Sequence, residues 1–224
     1  MPERLIDLSF SIHEGMTSYP GPWHPLTEIT QLGRMGIEGR VSSKITFGSH
    51  SGTHVDGASH FIEGGQTVDE IPLETLVGPA RVVKFPDCEP NKKVTVDDIR
   101  EQVGDAHGIE RILFRYDWSD HWGDISYYTG SPHLSLEACE YLRDCGVKLI
   151  GQDGPSPDDP KDSPATDNDS PIHKVMLAAD IINVEYLTNM RQIQGDVVQF
   201  IALPLKILGG DGAPARCIAI ETTS

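Results

Sequence analysis

The alternation of apolar and polar positions along the chain predicts interleaved strands and helices. The predicted strands are 5–12, 41–47, 80–85, 111–116, 147–151, a segment ending at 184, 197–203 and 217–220. The predicted helices are 96–103, 136–145 and 171–179. Thr95 and Ser135 are candidate N-caps, and Gly146 is typical of a helix end. Because the two kinds of element interleave along 224 residues, we expect one α/β domain, 1–224, with a mixed or barrel-like central sheet flanked by helices.

Residues 152–170 break this pattern, since they contain six aspartates and four prolines and show no apolar periodicity. They are therefore predicted to form a loop. A loop of this length in a compact domain is usually functional or disordered. A solvated acidic loop is the alternative interpretation, and the sequence leaves the role of the segment open.

Residues 50–60 concentrate side chains that bind divalent metals, namely His50, His54, Asp56 and His60. The β-branched residues between them favour a strand, on which His50, His54 and Asp56 share a face. His54 and Asp56 would have Cα atoms ~6.6 Å apart, whereas a straight strand would leave His50 ~13 Å from His54. A shared ion therefore requires a bend at 51–52, which Gly52 permits. The alternative is a histidine-rich surface loop without metal.

A dinuclear centre needs further ligands, and the best distant candidates are His173 and Glu185, twelve positions apart. Imidazole and carboxylate ligands suit Zn²⁺, Mn²⁺ or Fe²⁺. Such an ion lowers the pKa of water to about 7, which is typical of a hydrolase. His60 is either another ligand or an acid–base group. Tyr19 and Trp23 offer flat apolar faces to an aryl substrate, although simple packing is the alternative for both.

Two other motifs carry less chemistry. The segment 209–212 is glycine-rich but lacks the Lys-Ser/Thr of a phosphate-binding loop, so we interpret it as a turn. Ser156 has no nucleophile elbow around it. It is expected either to orient a ligand or substrate, or to make a plain hydrogen bond within the loop.

Composition narrows the possible partners and the compartment. Lys and Arg number 18 against 34 Asp and Glu, giving a formal charge of −16. This charge argues against nucleic acid and against anionic membranes as partners. Four cysteines without CxxC spacing indicate reduced thiols rather than a disulfide scaffold. No apolar run is long enough to span a membrane and the first residues lack a signal-peptide core, so we expect a cytoplasmic location.

The segment 50–60 resembles the motif His-x-Gly-Thr-His-x-Asp-x-x-x-His of the cyclase family of metal-dependent hydrolases, which includes kynurenine formamidases and isatin hydrolases. Further matches are Tyr19-Pro20-Gly21, Gly151-x-Asp153-x-x-Ser156, Pro204-Leu205-Lys206-Ile207 and Asp211-Gly212-x-Pro214-x-Arg216. The chain departs from the family pattern in two places. Ala58 stands where the family often has proline, and Tyr19 stands where formamidases carry a tryptophan that lines the substrate pocket.

The resemblance implies a swivelling β/β/α fold and a centre of one or two divalent ions, Zn or Mn. His50, His54 and Asp56 would bind one ion, and Asp56 would bridge to a second ion held by His173 and Glu185. His60 would be the catalytic acid–base residue and Tyr19 a substrate-binding residue. The resemblance also implies a homodimer or homotetramer.

The leading functional hypothesis is therefore hydrolysis of the C–N bond of a small aryl amide, such as an N-formyl aniline. One alternative is hydrolytic ring opening of a cyclic amide or lactone, as in isatin hydrolases. A hypothesis of a different class is a metal-binding scaffold without catalytic activity.

Overall fold

The computed structural model describes residues 3–162 and 166–222. Its strands are β1 (Glu3–Asp7), β2 (Glu28–Gly33), β3 (Ser42–Thr46), β4 (His54–Asp56), β5 (Val77–Lys84), β6 (Lys93–Val94), β7 (Arg111–Arg115), β8 (His133–Leu134), β9 (Leu149–Gln152), β10 (Ile182–Glu185), β11 (Val197–Pro204) and β12 (Gly212–Thr222). Its α-helices are α1 (Met35–Glu38), α2 (Leu73–Leu76), α3 (Val96–Val103), α4 (Ser126–Thr129), α5 (Leu136–Asp144) and α6 (Pro171–Ala178). No helix in this part of the chain is both long and apolar enough to cross a membrane.

Seven strands close into a barrel in the order β12-β11-β5-β7-β9-β10-β4, with β4 returning to β12. The run from β5 to β10 is parallel and the remaining pairs are antiparallel. The predicted strand 217–220 is only part of β12, which closes the ring by pairing with β4 at its start and with β11 and β1 farther along. The predicted mixed, barrel-like sheet flanked by helices is confirmed.

Two apolar cores lie on the two faces of the barrel wall. One core takes side chains from every strand of the ring and fills the interior, while the other joins the outer face to α3, α5 and α6. On β7, Leu113 belongs to the inner core, and Ile112 and Phe114 belong to the outer core. Because successive side chains of a strand point to opposite faces, burial on both sides explains the continuous apolar runs in these strands.

The predicted helix starts are confirmed by their caps. The Thr95 hydroxyl accepts a hydrogen bond from the Asp98 amide, and the Asp98 carboxylate accepts one from the Thr95 amide, at the start of α3. Ser135 caps α5 through the Ala138 amide at 3.1 Å. Gly146, with a φ of +86°, follows the end of α5. These local signals are strong because unpaired amide groups at a helix start need acceptors.

The predicted opening strand 5–12 is wrong in its second half, because β1 ends at Asp7. Beyond Asp7, side-chain hydroxyl groups accept backbone amide hydrogen bonds that a neighbouring strand would otherwise accept. The Ser9 hydroxyl accepts from the Cys217 amide at 2.7 Å, and the Thr53 hydroxyl accepts from the Phe10 amide at 2.9 Å. Side-chain oxygens of this kind offer the backbone an alternative to strand pairing.

The predicted strand 41–47 forms β3, but it does not enter the barrel. It pairs with β2 in a separate two-stranded sheet, and all its residues are exposed. We call residues 28–46 the hairpin arm. The arm exposes the large apolar side chains Leu32, Met35, Ile37, Val41 and Ile45.

The loop 152–170 contains no helix and, apart from Gln152 at the end of β9, no strand in its described residues. The interpretation of this loop as solvated is wrong for its first part, since Asp153 and Asp158 are buried. Residues 163–165 lie outside the described part of the chain. The buried part packs against the barrel and carries side chains into the site described below.

Burial raises the pKa of Asp153 to about 7, well above the ~3.9 of an unfolded chain. The folded chain therefore keeps a proton that the unfolded chain loses. The contribution of Asp153 to the free energy of unfolding is therefore greatest below about pH 4, where the carboxyl is protonated in both states. It falls by at most about 1.4 kcal/mol per pH unit as the pH rises to about 7, where the folded chain also loses the proton. We expect Asp153→Asn to remove this decline, as measured by urea unfolding across that range. Asp97→Asn, on the exposed first turn of α3, is the control, and an unchanged profile in Asp153→Asn would contradict the assignment.

Candidate metal centre

Two cross-strand pairs form the base of the site, which lies where β4 pairs with β10. His54 lies opposite Glu185, and Asp56 lies opposite Asn183. Residues two apart on a strand share a face, so all four side chains converge on one side of the sheet. All four are at most 5% exposed. Strand pairing therefore fixes the positions of these polar groups before any ligand is considered.

His50 reaches this group because the chain bends where the sequence predicts. Gly52 has a φ of +62°, a conformation that glycine adopts without strain. A second glycine, Gly212 on β12, makes room for the imidazole, since a Cβ there would lie 2.7 Å from the ring of His50. The His50 Nδ1 lies 2.8 Å from Asp56 Oδ1.

His173 completes the cluster from the first turn of α6. Its Nε2 lies 3.6 Å from Asp56 Oδ2 and 3.2 Å from Glu185 Oε1. On the other side, His54 Nε2 lies 3.2 Å from Asp56 Oδ1 and 3.5 Å from Glu185 Oε2. Tetrahedral ligands with bonds of about 2.1 Å are about 3.4 Å apart, so these spacings suit a divalent ion. The fold thus brings together all five side chains that the sequence suggests as ligands.

In each of the three imidazoles, of His50, His54 and His173, one ring nitrogen donates a hydrogen bond to an acceptor other than Asp56. His54 Nδ1 donates to the Gly52 carbonyl at 2.8 Å, and His173 Nδ1 donates to Asp158 at 2.5 Å. His50 Nε2 donates to Asp211 at 2.7 Å. The remaining nitrogen of each ring faces the carboxylate of Asp56. Histidines that bind metals show this arrangement, in which the outer hydrogen bond fixes the tautomer and the ring orientation.

The charges in the cluster compensate one another. Burial alone would raise the pKa of Asp56, but His54 and His173 hold it well below its usual range. Burial alone would lower the pKa of His50, yet hydrogen bonds to Asp211 and Asp56 raise it to about 10. The pKa of His173 is likewise raised, against burial, by Asp158 and Asp56. Positive charge at this position, whether from protons or from a cation, therefore stabilises the buried carboxylates.

His60 lies beside the cluster but is held differently. It ends a 3₁₀ turn (Ala58–His60), and its ring stacks on His50 with centroids 3.8 Å apart. Its Nδ1 lies 3.8 Å from Asp211 Oδ2. Burial lowers the pKa of His60 to about 4, so its ring is neutral near pH 7. A neutral imidazole at the edge of the cluster can act as a base.

A pocket opens over the cluster, and His60 lies in its wall. Its aromatic lining residues are Tyr19, Trp23, Phe61 and Tyr186. Tyr19 is half-buried and meets Tyr128 edge-on at 5.7 Å. Trp23 is 60% exposed, so packing in the core does not account for it. Ser156 also lines the pocket, and its hydroxyl accepts from the amide of Asp158. Ser156 therefore fixes the residue that orients His173.

Comparison with known proteins agrees with this geometry. Residues 6–159 match the family model described as "Putative cyclase". The chain belongs to the cyclase family. It is 33% identical to a kynurenine formamidase of Salinibacter ruber over 96% of both chains.

Two solved isatin hydrolases share the fold of this cyclase-family chain. Isatin hydrolase A from Labrenzia aggregata, bound to benzyl benzoate, has a TM-score of 0.88 at 24% identity and aligns over 99% of this chain and 94% of its own. Isatin hydrolase A from Ralstonia solanacearum has a TM-score of 0.87 at 25% identity over 98% and 92% of the two chains. The predicted family resemblance is confirmed.

Sequence reasoning missed three polar residues at the site of this cyclase-family chain. Asp158 is one of six aspartates in its loop, and nothing local distinguishes it from the others. Asp211 lies within a motif that the family resemblance includes, but no spacing connects it to His50. Asn183 had the clearest signal, since it lies two positions before Glu185 and must share its face on a strand.

Replacing Asp211 tests whether outer hydrogen bonds orient the imidazoles of this cyclase-family chain. We expect Asp211→Ala to weaken binding of Zn²⁺ or Mn²⁺ by about 10- to 100-fold, because His50 loses the acceptor that fixes its ring. Isothermal titration calorimetry measures this change. Asp97→Ala, exposed on α3 and outside the pocket, should bind metal like the original chain. Equal affinity in Asp211→Ala would show that Asp211 does not position His50.

Proposed function

We propose that this chain is a divalent-metal-dependent hydrolase that cleaves the C–N bond of a small aryl amide, such as an N-formyl arylamine. One observation carries the proposal. Three imidazoles each donate a hydrogen bond from one ring nitrogen to an outer acceptor, and the other nitrogen faces the buried carboxylate of Asp56. An aromatic pocket opens over this group. The kynurenine formamidase relative supports the same reaction class.

The side chains present fit a divalent ion. His50, His54 and Asp56 would hold one ion, and Asp56 with His173 and Glu185 would form a second ligand set. Nitrogen and oxygen donors without thiolate suit Zn or Mn. When bound, such an ion brings the pKa of water close to neutrality and polarises a carbonyl oxygen.

The residues around the ion supply the proton transfers. An amine anion is a poor leaving group, so the nitrogen must receive a proton as the C–N bond breaks. A neutral His60 can take that proton from water and deliver it to the nitrogen. The proton lost by water is then the one gained by the amine. Tyr19 and Trp23 would hold the aryl ring, since flat apolar faces favour stacking.

Ring opening of a cyclic amide is the second candidate, because the fold matches two isatin hydrolases over nearly the whole chain. Both reactions would use the same metal ligands and the same acid–base residue. Only the shape of the pocket would decide which of the two substrates binds. A scaffold without catalytic activity accounts less well for His60, which lies in the pocket wall beside a complete donor set.

Turnover of N-formylkynurenine and of isatin by the metal-loaded protein separates these candidates. We expect faster hydrolysis of N-formylkynurenine, measured by absorbance, and loss of turnover when a chelator removes the metal. Faster hydrolysis of isatin would select the ring-opening alternative. Turnover of neither compound would remove both.

His60→Ala tests the role of the acid–base residue. We expect turnover to fall by about 10²- to 10⁴-fold, because the leaving nitrogen loses its proton donor, while metal content measured by elemental analysis stays the same. The control is His13→Ala, an exposed imidazole outside both the pocket and the candidate ligand groups. A parallel loss of metal in His60→Ala would make His60 a ligand instead.

We also propose a homodimer or homotetramer in the cytoplasm. The hairpin arm supports the assembly, since its exposed apolar side chains are typical of a surface that binds another protein chain. The four cysteines are free thiols, as is typical of a reducing compartment.

A further inference from the structure

The Asn183 amide contacts the second ligand set directly. Its Nδ2 lies 2.9 Å from Asp56 Oδ2 and 2.8 Å from Glu185 Oε1, and donates to both. The same nitrogen lies 3.3 Å from His173 Nε2. These three atoms are the ones that a second ion would need. The side chain is fully buried, since β10 lies inside the barrel wall.

The orientation of this amide follows from its neighbours. Two carboxylate oxygens can only accept hydrogen bonds, so the NH₂ group turns toward them. The Asn183 Oδ1 is left buried without a hydrogen-bond partner in the described part of the chain. An unsatisfied buried oxygen is costly. The two hydrogen bonds to carboxylates therefore hold the amide in this orientation and outweigh the cost of the unpaired oxygen.

The two ligand sets differ in this respect. In the first set, His50 and His54 face Asp56 Oδ1, and Asn183 donates to the other oxygen of that carboxylate, Oδ2. In the second set, Asp56 Oδ2 and Glu185 Oε1 already accept hydrogen bonds from Asn183 Nδ2. The same nitrogen lies 3.3 Å from the third ligand atom, His173 Nε2. A cation there would compete for the same lone pairs and meet repulsion from the amide hydrogens.

We propose that Asn183 weakens the second ligand set, so that the chain binds one divalent ion tightly through His50, His54 and Asp56 and a second ion much more weakly. This inference rests on the proposed function only in requiring that the cluster binds metal. It makes Asn183 the residue that sets the number of ions per chain.

Titration of the metal-free protein with Zn²⁺, and separately with Mn²⁺, tests this inference. We expect one tight site in the original chain. Asn183→Leu keeps the branched shape of the side chain but has no N–H donor, so its second site should tighten by about 10- to 100-fold, the usual range for residues that contact ligands. Elemental analysis should then find about two ions per chain after dialysis.

Two further variants guard against misfolding and non-specific effects. Asn183→Ala also removes the donor but leaves more room, and it should show the same tightening. Gln152→Leu is the matched control, since Gln152 is a buried amide on the neighbouring strand β9 with no side-chain hydrogen bond in the described residues. It should retain one tight site.

The possible outcomes separate this inference from the proposed function. Two equally tight ions in the original chain would overturn the inference, as would an unchanged second site in both Asn183 variants. A weaker second site in those variants would also overturn it and would identify the amide oxygen as a ligand. The expected stoichiometry with no turnover of either amide would support the inference and refute the proposed substrate class. Failure to bind any divalent ion would overturn both.

Discussion

The buried carboxylate of Asp56 is the constraint on which the site depends. It is 99% buried, and an unpaired charge in that environment would cost several kcal/mol. The neighbouring side chains therefore have to supply positive charge or hydrogen-bond donors. Three imidazoles and one amide do so, and they surround the carboxylate on both of its oxygens. The same arrangement suits a metal ion, because a cation replaces protons on the imidazoles without changing the charge balance of the buried group.

The barrel makes this arrangement rigid. β4 has only three residues, yet it is paired on one side with β10 and on the other with β12. Each polar side chain therefore has a fixed cross-strand neighbour, and Gly212 leaves the space that His50 fills. A site built on paired strands holds its geometry better than one on loops alone. The two candidate ligands outside the strands, His50 and His173, are held instead by the carboxylates of Asp211 and Asp158.

Features of the sequence that act over a few residues predicted their structures well. The caps of α3 and α5, the bend at Gly52 and the convergence of His54 and Asp56 all depend on neighbouring residues. Features that depend on distant partners were not predictable in the same way. Residues 41–47 have the alternation of a barrel strand, but β3 pairs with β2 in a separate two-stranded sheet. Asp158 and Asp211 are unremarkable acidic residues until the fold brings them 2.5 to 2.7 Å from imidazole nitrogens.

The candidate metal ligands and the candidate substrate-binding residues lie in different parts of the molecule. His54, Asp56 and Glu185 lie on barrel strands, so a change at any of them disturbs charge balance inside the wall. Tyr19, Trp23 and Ser156 lie on loops above it, where side chains can change without loss of strand pairing. A hydrolase built in this way can alter the amide it accepts while keeping its metal centre. By the family resemblance, Tyr19 takes the place of a tryptophan of the formamidases, and it lines the pocket without belonging to the groups that could hold a metal.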